Sequence, residues 1–264
     1  MQATKLESVF MQDGDRVIPT ELARGPWSPN AQHGGAPAGL LAAIAEDAMA
    51  RNGDWKLTRI TLEFLRPVPL AALTPSTEVK AGGSVSRVEV ALLHEGAAVV
   101  RGVALFIRAR PLDLPAMKTP ALLPLPEDCG EPVRIPGMAD QRSFHYSAME
   151  SRLASGSVAA PGPAAAWLRL AVPLIKGRET PPAAQAIAAA DFGNGISWAV
   201  PLERFVFANA DLTVYLHRHP VGEWVGVQSN TTVGNDGTGL TMTKLYDVEG
   251  MMGVAQQALL IKAR

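Results

Sequence analysis

The chain has 264 residues and carries 24 Lys and Arg against 25 Asp and Glu, a formal net charge of −1. This balance leaves no basic excess for binding nucleic acid or an anionic membrane surface. The sequence shows no apolar run long enough for a transmembrane helix and no secretory signal, and its single cysteine, Cys129, excludes an internal disulfide. We therefore expect a cytoplasmic protein with no nucleic-acid partner and no membrane partner.

The N-terminal half is organised around one alanine-rich helix. A strand-like opening leads to a turn-rich segment at 24–30, and a helix is predicted from Ala36 to Arg51. Pro37 suits the first turn of such a helix, and Gly53 lies just past its end. Apolar residues surround most of the helix, which predicts that it is buried.

Strands follow this helix. Apolar and polar residues alternate at 57–65, which is typical of a half-buried strand. Two further β-rich runs, at 85–93 and 97–108, are separated by a short segment that contains Gly96. This arrangement predicts a β-hairpin.

Prolines cluster near the middle of the chain. Nine of the 21 prolines fall between Pro111 and Pro163, and proline removes a backbone donor and disfavours helix interiors. We interpret the stretch from Pro111 to Pro136 as a connector. The predicted domains are an N-terminal domain at 1–112, a linker region at 113–163 and a C-terminal domain at 164–264.

The C-terminal half repeats the same order of elements. A strand is predicted at 167–174, and a second alanine-rich helix is predicted from Pro181 to Ala190, with Gly193 and Gly195 expected to stop it. Further strands are predicted at 205–217, 224–233, 240–246 and 251–262.

Short sequence matches support an internal duplication. Thr61-Leu-Glu-Phe-Leu-Arg66 is similar to Thr213-Val-Tyr-Leu-His-Arg218, and Phe106-Ile-Arg-Ala-Arg110 is similar to Leu260-Ile-Lys-Ala-Arg264. The two matches have nearly the same offset, about half the chain. A helix followed by antiparallel strands, present twice, predicts an α+β protein of two tandem hot-dog repeats, each with a sheet wrapped around a long helix.

Several motifs extend over nearly the whole chain and carry a family resemblance. They are Gly25-Pro-Trp27 with His33-Gly-Gly35, Ala190-Asp-Phe-Gly-Asn-Gly195, Asp211-Leu-Thr-Val-Tyr-Leu-His-Arg218, Glu223-Trp224 through Thr231-Thr232, and Gln257-Ala-Leu-Leu-Ile-Lys262. In their order and spacing they resemble the acyl-CoA thioesterase II (TesB-like) family of double hot-dog proteins. The resemblance implies hydrolysis of an acyl-CoA to a carboxylic acid and coenzyme A, without a cofactor, and a homo-oligomer.

The resemblance also implies a catalytic trio that holds the attacking water. By position in the motifs, its members are Asp211, Thr232 and Gln257. Thr231 and Gln256 lie beside two of them, and neighbouring strand residues face opposite sides of a sheet. The register therefore decides which threonine and which glutamine face the site.

The chemistry of a thioester agrees with such a trio. A thiol with a pKa of about 8.5 is a good leaving group, so hydrolysis needs a positioned water, a proton acceptor and donors for the oxyanion, but no metal. His33, Gly34 and Gly35 precede the first helix and are predicted to bind the substrate, because a helix start offers unpaired N–H groups. Subtracting the repeat offset from Asp211 gives Arg59, so we expect one active site in each chain.

Other interpretations stay open at this point. The chain could be a non-catalytic acyl-thioester-binding protein or, with less support, an enoyl-CoA hydratase, which needs a histidine with a carboxylate. Asp191 is left outside the catalytic set, and Asn194 is interpreted as a turn residue. Glu46 and Asp47 on the first helix are interpreted as solvated or structural.

Overall fold

The computed structural model describes residues 7–50, 53–115, 123–130, 132–135 and 141–264. Its main feature is a sheet of eleven strands, accompanied by a separate two-stranded sheet. The strands are β1 (Phe10–Asp13), β2 (Arg16–Pro19), β3 (Trp55–Phe64), β4 (Thr74–Lys80), β5 (Val85–His94), β6 (Ala97–Arg108), β7 (Met149–Ser155), β8 (Ala164–Leu170), β9 (Phe205–Asn209), β10 (Asp211–Leu216), β11 (Val225–Val233), β12 (Thr238–Asp247) and β13 (Gly250–Ala263).

The described residues form three α-helices, α1 (Gly35–Ala50), α2 (Pro182–Ala190) and α3 (Gly193–Ile196). The first two confirm the predicted alanine-rich helices, although Arg51, the predicted end of the first, lies outside the described residues. In the described part of the chain, no helix is long and apolar enough to cross a bilayer.

The strand order shows two similar halves. The path β4-β5-β6-β3 continues directly into β10-β13-β12-β11, so that β3 and β10 pair at the centre. Beyond β11 the path continues to β8 and β7, while β2 bridges to the residue before β4 through Val17 and Leu73. Each half therefore runs strand, strand, helix and then four main strands, which is the double hot-dog arrangement.

The helices lie against the inner face of the sheet and against each other. A Cβ built on Gly39 in α1 would come within 2.9 Å of the Ala188 Cβ in α2, and one on Gly35 would come within 2.5 Å of the Ala188 carbonyl oxygen. Only glycine allows so close an approach of two helices. The largely apolar circumference of both helices is thus explained by the burial of most of their residues.

The structure differs from the predicted elements in several places, and β4 is a strand that the sequence did not predict. The predicted strand at 167–174 begins and ends earlier, as β8, and the run at 205–217 is broken at Ala210 into β9 and β10. Gly193 begins the short helix α3 instead of ending helical structure. Strand β7 lies inside the segment interpreted as a linker region, and residues 116–122, 131 and 136 of the proline-rich connector fall outside the described residues.

Glu46 is an ionisable group on α1 that the sequence did not mark as unusual. Its Oε2 atom is buried and has no hydrogen-bond partner in the described part of the chain. Burial, with the nearby charge of Asp47, raises the pKa of Glu46 to about 7, although Lys56 opposes the shift. Asp47 itself pairs with Arg178 at the surface.

Candidate active site

A cavity of about 560 Å³ opens where the start of α1 meets the end of α2. Its wall is mostly apolar and includes Trp27, Phe64, Phe207 and Leu260. Polar side chains form the smaller part of the wall, which is the usual composition of a small-molecule site. The polar groups that matter here are those of His33, Gly34, Asp191, Asn194 and Asn209.

Asp191 is the buried acid of this cavity. It follows the last residue of α2 and is only 3% exposed. Its Oδ1 atom accepts hydrogen bonds from the Asn209 side chain at 2.9 Å and from Gln257 Nε2 at 3.3 Å. Its Oδ2 atom lies 3.0 Å from His33 Nδ1. A carboxylate buried at the end of a helix needs such partners, because the C-terminal end of the helix dipole repels negative charge.

The start of α1 lies directly against this carboxylate. A Cβ built on Gly34 would come within 2.8 Å of both carboxylate oxygens of Asp191, so a side chain at this position would displace the acid. The N–H of Gly34 makes no hydrogen bond within the described part of the chain. The positive end of the α1 dipole and the unpaired N–H of Gly34, a residue of the cavity wall, therefore lie beside the acid.

His33 connects the helix start to Asp191. Its Nδ1 atom is 3.1 Å from the N–H nitrogen of Gly35 and 3.0 Å from the Asp191 carboxylate. A carboxylate only accepts, so the contact with Asp191 requires one proton between the two groups. The imidazole ring stacks on Phe192, with ring centroids 4.6 Å apart, and also contacts Phe144 and His145. These rings fix its orientation.

Gln257 supports the site from strand β13. It lies in β13 between buried Ala255 and Leu259 and is itself 1% exposed. Its Oε1 atom accepts from the Asn194 N–H at 3.2 Å, while its Nε2 donates to the main-chain and side-chain oxygens of Asp191. One amide thus joins the end of α2 to the start of α3.

Two family models match most of the chain. The model of the acyl-CoA thioesterase N-terminal domain matches residues 23–107, and that of the acyl-CoA thioesterase C-terminal domain matches residues 126–261. The chain belongs to the acyl-CoA thioesterase family. The resemblance noted in the motifs is confirmed, and this thioesterase is accordingly a thioester hydrolase. We find no significant match among curated proteins.

Solved structures confirm the fold of the thioesterase. A proposed thioesterase from Novosphingobium aromaticivorans is 21% identical, with a TM-score of 0.74 over 96% of this chain and 98% of that one. A proposed thioesterase II from Thermobifida fusca is 17% identical, with a TM-score of 0.70 over 99% of each chain. The acyl-CoA thioesterase II TesB2 from Mycobacterium marinum is 17% identical, with a TM-score of 0.64 over 97% and 96%.

The structure of the thioesterase does not bring the three predicted catalytic residues together. Asp211 accepts a hydrogen bond from the Ala258 N–H at 2.6 Å, which fastens β10 to β13. Thr232 is exposed on the outer face of β11. Gln257 faces inward, because residues 255, 257 and 259 share the buried side of β13.

The neighbouring threonine has the opposite orientation. Thr231 faces inward, where its hydroxyl lies 2.8 Å from both the Ser197 and the Thr241 hydroxyls under α3. It contacts this cluster of hydroxyls and not the Asp191 carboxylate. Of the residues predicted to bind the substrate, His33 and Gly34 line the cavity, while Gly35 packs against α2. Among the described residues, no cluster of histidines, cysteines and acids could hold a metal ion.

Sequence reasoning missed Asp191 and Asn209 as members of the site. The available signal was Asp191 itself, an acid at the C-terminal end of an otherwise apolar helix, where the helix dipole disfavours it. Asn209 gives no such signal, because its position depends on the break between β9 and β10. Asn194, interpreted as a turn residue, lines the cavity.

Proposed function

We propose that this protein hydrolyses an acyl-CoA thioester at the Asp191 cavity, by direct attack of a water molecule that Asp191 holds. The observation that carries the proposal is the buried carboxylate, fixed by three side chains and set against the free N–H at the start of α1. The products are a carboxylic acid and free coenzyme A. The reaction needs neither a cofactor nor a metal.

The hydrogen bonds of Asp191 leave room for one water. A carboxylate accepts at about four lone-pair positions. Asn209 and Gln257 occupy those of Oδ1, and His33 occupies one on Oδ2. The remaining position on Oδ2 can accept a proton from water as that water attacks the thioester carbonyl carbon. The C–S bond breaks as the carbonyl re-forms, and the proton held by Asp191 passes to the departing thiolate, which leaves as free coenzyme A. His33, Asn209 and Gln257 then act as positioning residues that orient the carboxylate.

The oxyanion that forms on the carbonyl oxygen needs a donor on the other side of the substrate. The Gly34 N–H supplies one, and the α1 dipole adds a favourable field there. The acyl group occupies the apolar wall beside Trp27 and Phe207.

This proposal uses only part of the trio that the sequence suggested. Gln257 keeps a role as a positioning residue. Asp211 and Thr232 take none, because Asp211 is bonded to the β13 backbone and Thr232 faces outward.

We further propose that the enzyme acts in the cytoplasm, in lipid metabolism. Half-exposed Leu240 and Met242 on the outer face of the sheet support association into a homo-oligomer.

The decisive experiment compares the two aspartates. Free thiol release is measured with acyl-CoAs from acetyl to palmitoyl, using the wild type, Asp191→Asn and Asp211→Asn. We expect Asp191→Asn to lower kcat by about 100- to 10,000-fold with an unchanged melting temperature. Asp211→Asn should keep its activity and lose some stability. The reverse pattern would place the chemistry at Asp211 and overturn the proposed site.

The same assay separates the competing functions. The His33–Asp191 pair is also a histidine with a carboxylate, the combination that an enoyl-CoA hydratase needs. Hydration of an unsaturated acyl-CoA is therefore followed in parallel, and we expect none. Binding of acyl-CoA without thiol release or hydration would instead favour a non-catalytic binding protein.

A further inference from the structure

His145 is a buried polar side chain that the proposed chemistry does not use. It lies in a single π-helical turn, Phe144–Ala148, that Ser143 caps. It is 8% exposed, and within the described part of the chain neither ring nitrogen has a hydrogen-bond partner. Buried polar atoms in folded proteins are normally satisfied, so a ring with two unpaired nitrogens needs an explanation.

The position of His145 offers one. It lines the main cavity and also a second cavity of about 250 Å³, and the two cavities share Val133, His145, Tyr146 and Ser151. The second cavity adds the charged residues Arg134, Glu150 and Arg152 to its wall. His145 therefore lies at the junction between a mostly apolar space and a polar one.

The other polar groups at this junction are already engaged. The Tyr146 hydroxyl accepts from the Ile135 N–H at 3.1 Å, and the Ser151 hydroxyl accepts from the Val133 N–H at 3.0 Å. Both hydrogen bonds anchor residues 133–135, which line the two cavities. By elimination, His145 is the shared wall residue whose side-chain polar atoms have no hydrogen-bond partner in the described part of the chain.

The protonation state of His145 defines what it can bind. Burial, together with His33 and Arg134 nearby, lowers the pKa of His145 to about 3. The ring is thus neutral at physiological pH, with one nitrogen that donates and one that accepts. Amides offer both complementary groups, whereas an anion would meet only one donor.

We propose that His145 binds an amide of the pantetheine arm of coenzyme A, so that the carrier leaves the reaction centre through the second cavity. The inference rests on the proposed function, which places the thioester beside Asp191 and His33. The His33 and His145 rings stack with centroids 5.9 Å apart. In a CoA thioester the nearest amide is only two methylene groups from the sulfur. The amide therefore reaches the His145 ring when the sulfur lies beside the His33 ring.

The test varies the carrier while the acyl group stays the same. Acyl-CoA and the acyl N-acetylcysteamine thioester both contain the amide, and the acyl S-butyl thioester lacks it. The value of kcat/KM is measured for the wild type, His145→Phe and His145→Gln. We expect His145→Phe to lower kcat/KM about tenfold for the two amide-containing substrates and to leave the S-butyl thioester unaffected. His145→Gln should restore part of the loss, because its amide can also donate and accept.

Binding gives a readout that does not depend on hydrolysis. The dissociation constants of an S-alkyl-CoA thioether and of an S-alkyl N-acetylcysteamine are measured with the wild type and His145→Phe, and the variant should weaken both. An equal loss on all three thioesters, or no loss in any measurement, would overturn the role of His145. If the wild type bound the thioethers through His145 but hydrolysed nothing, the proposed function alone would fail.

A second histidine serves as the structural control. The Nε2 atom of His219 bonds the Leu57 carbonyl oxygen at 3.0 Å, so His219→Phe removes a satisfied hydrogen bond. We expect it to lower the melting temperature and to change kcat/KM equally for every substrate. His145→Phe removes two unsatisfied atoms and should not lower the melting temperature. A clear loss of stability in His145→Phe, without dependence on the amide, would mark the residue as structural only.

Discussion

Thr61 and Thr213 face each other at the centre of the sheet, with their hydroxyl oxygens 3.3 Å apart and a separation of 152 positions in sequence. The pairing on either side is symmetric: Leu62 lies opposite Leu212, and Ile60 lies opposite Val214. The offset of the sequence repeat is therefore also the separation of the two residues at the pseudo-twofold axis. Equivalent positions of the two halves meet there.

This pair should show energetic coupling. Thr61→Val and Thr213→Val keep the β-branched shape that suits a strand and remove one hydroxyl each. We expect each to cost about 0.5–1 kcal/mol of unfolding free energy, and the double variant to cost no more than the larger single change. Urea denaturation of the four proteins measures this. Simple addition of the two costs would show that the hydroxyls do not interact.

The contact between Gly34 and Asp191 makes Gly34→Ala a sensitive test of the site. The added methyl group would come within 2.8 Å of both carboxylate oxygens, so the acid must move. We expect kcat/KM to fall about 100-fold without global unfolding. Gly83→Ala is the matched control, because a Cβ there meets no atom within 4 Å. Equal activity in both variants would argue against the Asp191 cavity.

Glu46 should make stability depend on pH. Its folded pKa of about 7 lies above the ordinary glutamate value of 4.5, so the folded state binds the proton more tightly and stability falls as pH rises from about 4.5 to 7. Above pH 7 the penalty is complete, on the order of 3 kcal/mol. We expect Glu46→Gln to melt higher than the wild type at pH 8 and to flatten the profile between pH 5 and 8. Glu63→Gln, at the surface, should leave the profile unchanged.

The ion pair of Arg218 and Asp247 should give stability a pH dependence opposite to that of Glu46. The Asp247 side chain is fully buried. Burial alone would raise the pKa of Asp247, but hydrogen bonds from Arg218 and from the Val221 and Glu249 N–H groups outweigh it and lower that pKa. Stability from this group is present above the unfolded pKa and is lost as pH falls through the folded one.

Asp247→Asn removes this charge and leaves Arg218 without its partner. We expect a loss of about 3 kcal/mol at pH 7 and a smaller further loss than the wild type on acidification below pH 4. Thermal melts from pH 3 to pH 7 measure both effects. A variant with the same acid sensitivity as the wild type would show that Asp247 does not titrate as described.

More of the fold than of the candidate site could be predicted from the sequence. Helix periodicity and the hairpin at Gly96 are local signals, and the repeat offset can be found by comparing the two halves of the sequence. Together they predicted α1, β5, β6 and the doubled architecture. The site depends on contacts between distant segments. Asp191 meets Gly34 only because α1 and α2 pack through glycine and alanine, and no local pattern reports that approach.

Strand register limited the prediction at single positions. Thr231 and Thr232 are adjacent, yet one hydroxyl lies under α3 and the other side chain faces outward. A motif aligned by family resemblance identifies the strand, but one residue of register reverses the face. Gln257 could be chosen over Gln256 with better reason, since a buried amide among apolar residues needs partners.

The two helix starts are not equivalent, and this has an evolutionary consequence. α1 begins with glycines whose N–H groups are intact, whereas α2 is preceded by Pro181 and begins with Pro182, and proline has no N–H to offer. A gene duplication would first have produced two identical crevices, and Pro181 and Pro182 removed two N–H donors from one of them. One half then became a scaffold for the other, so a tight-binding inhibitor should titrate each polypeptide with a stoichiometry of one.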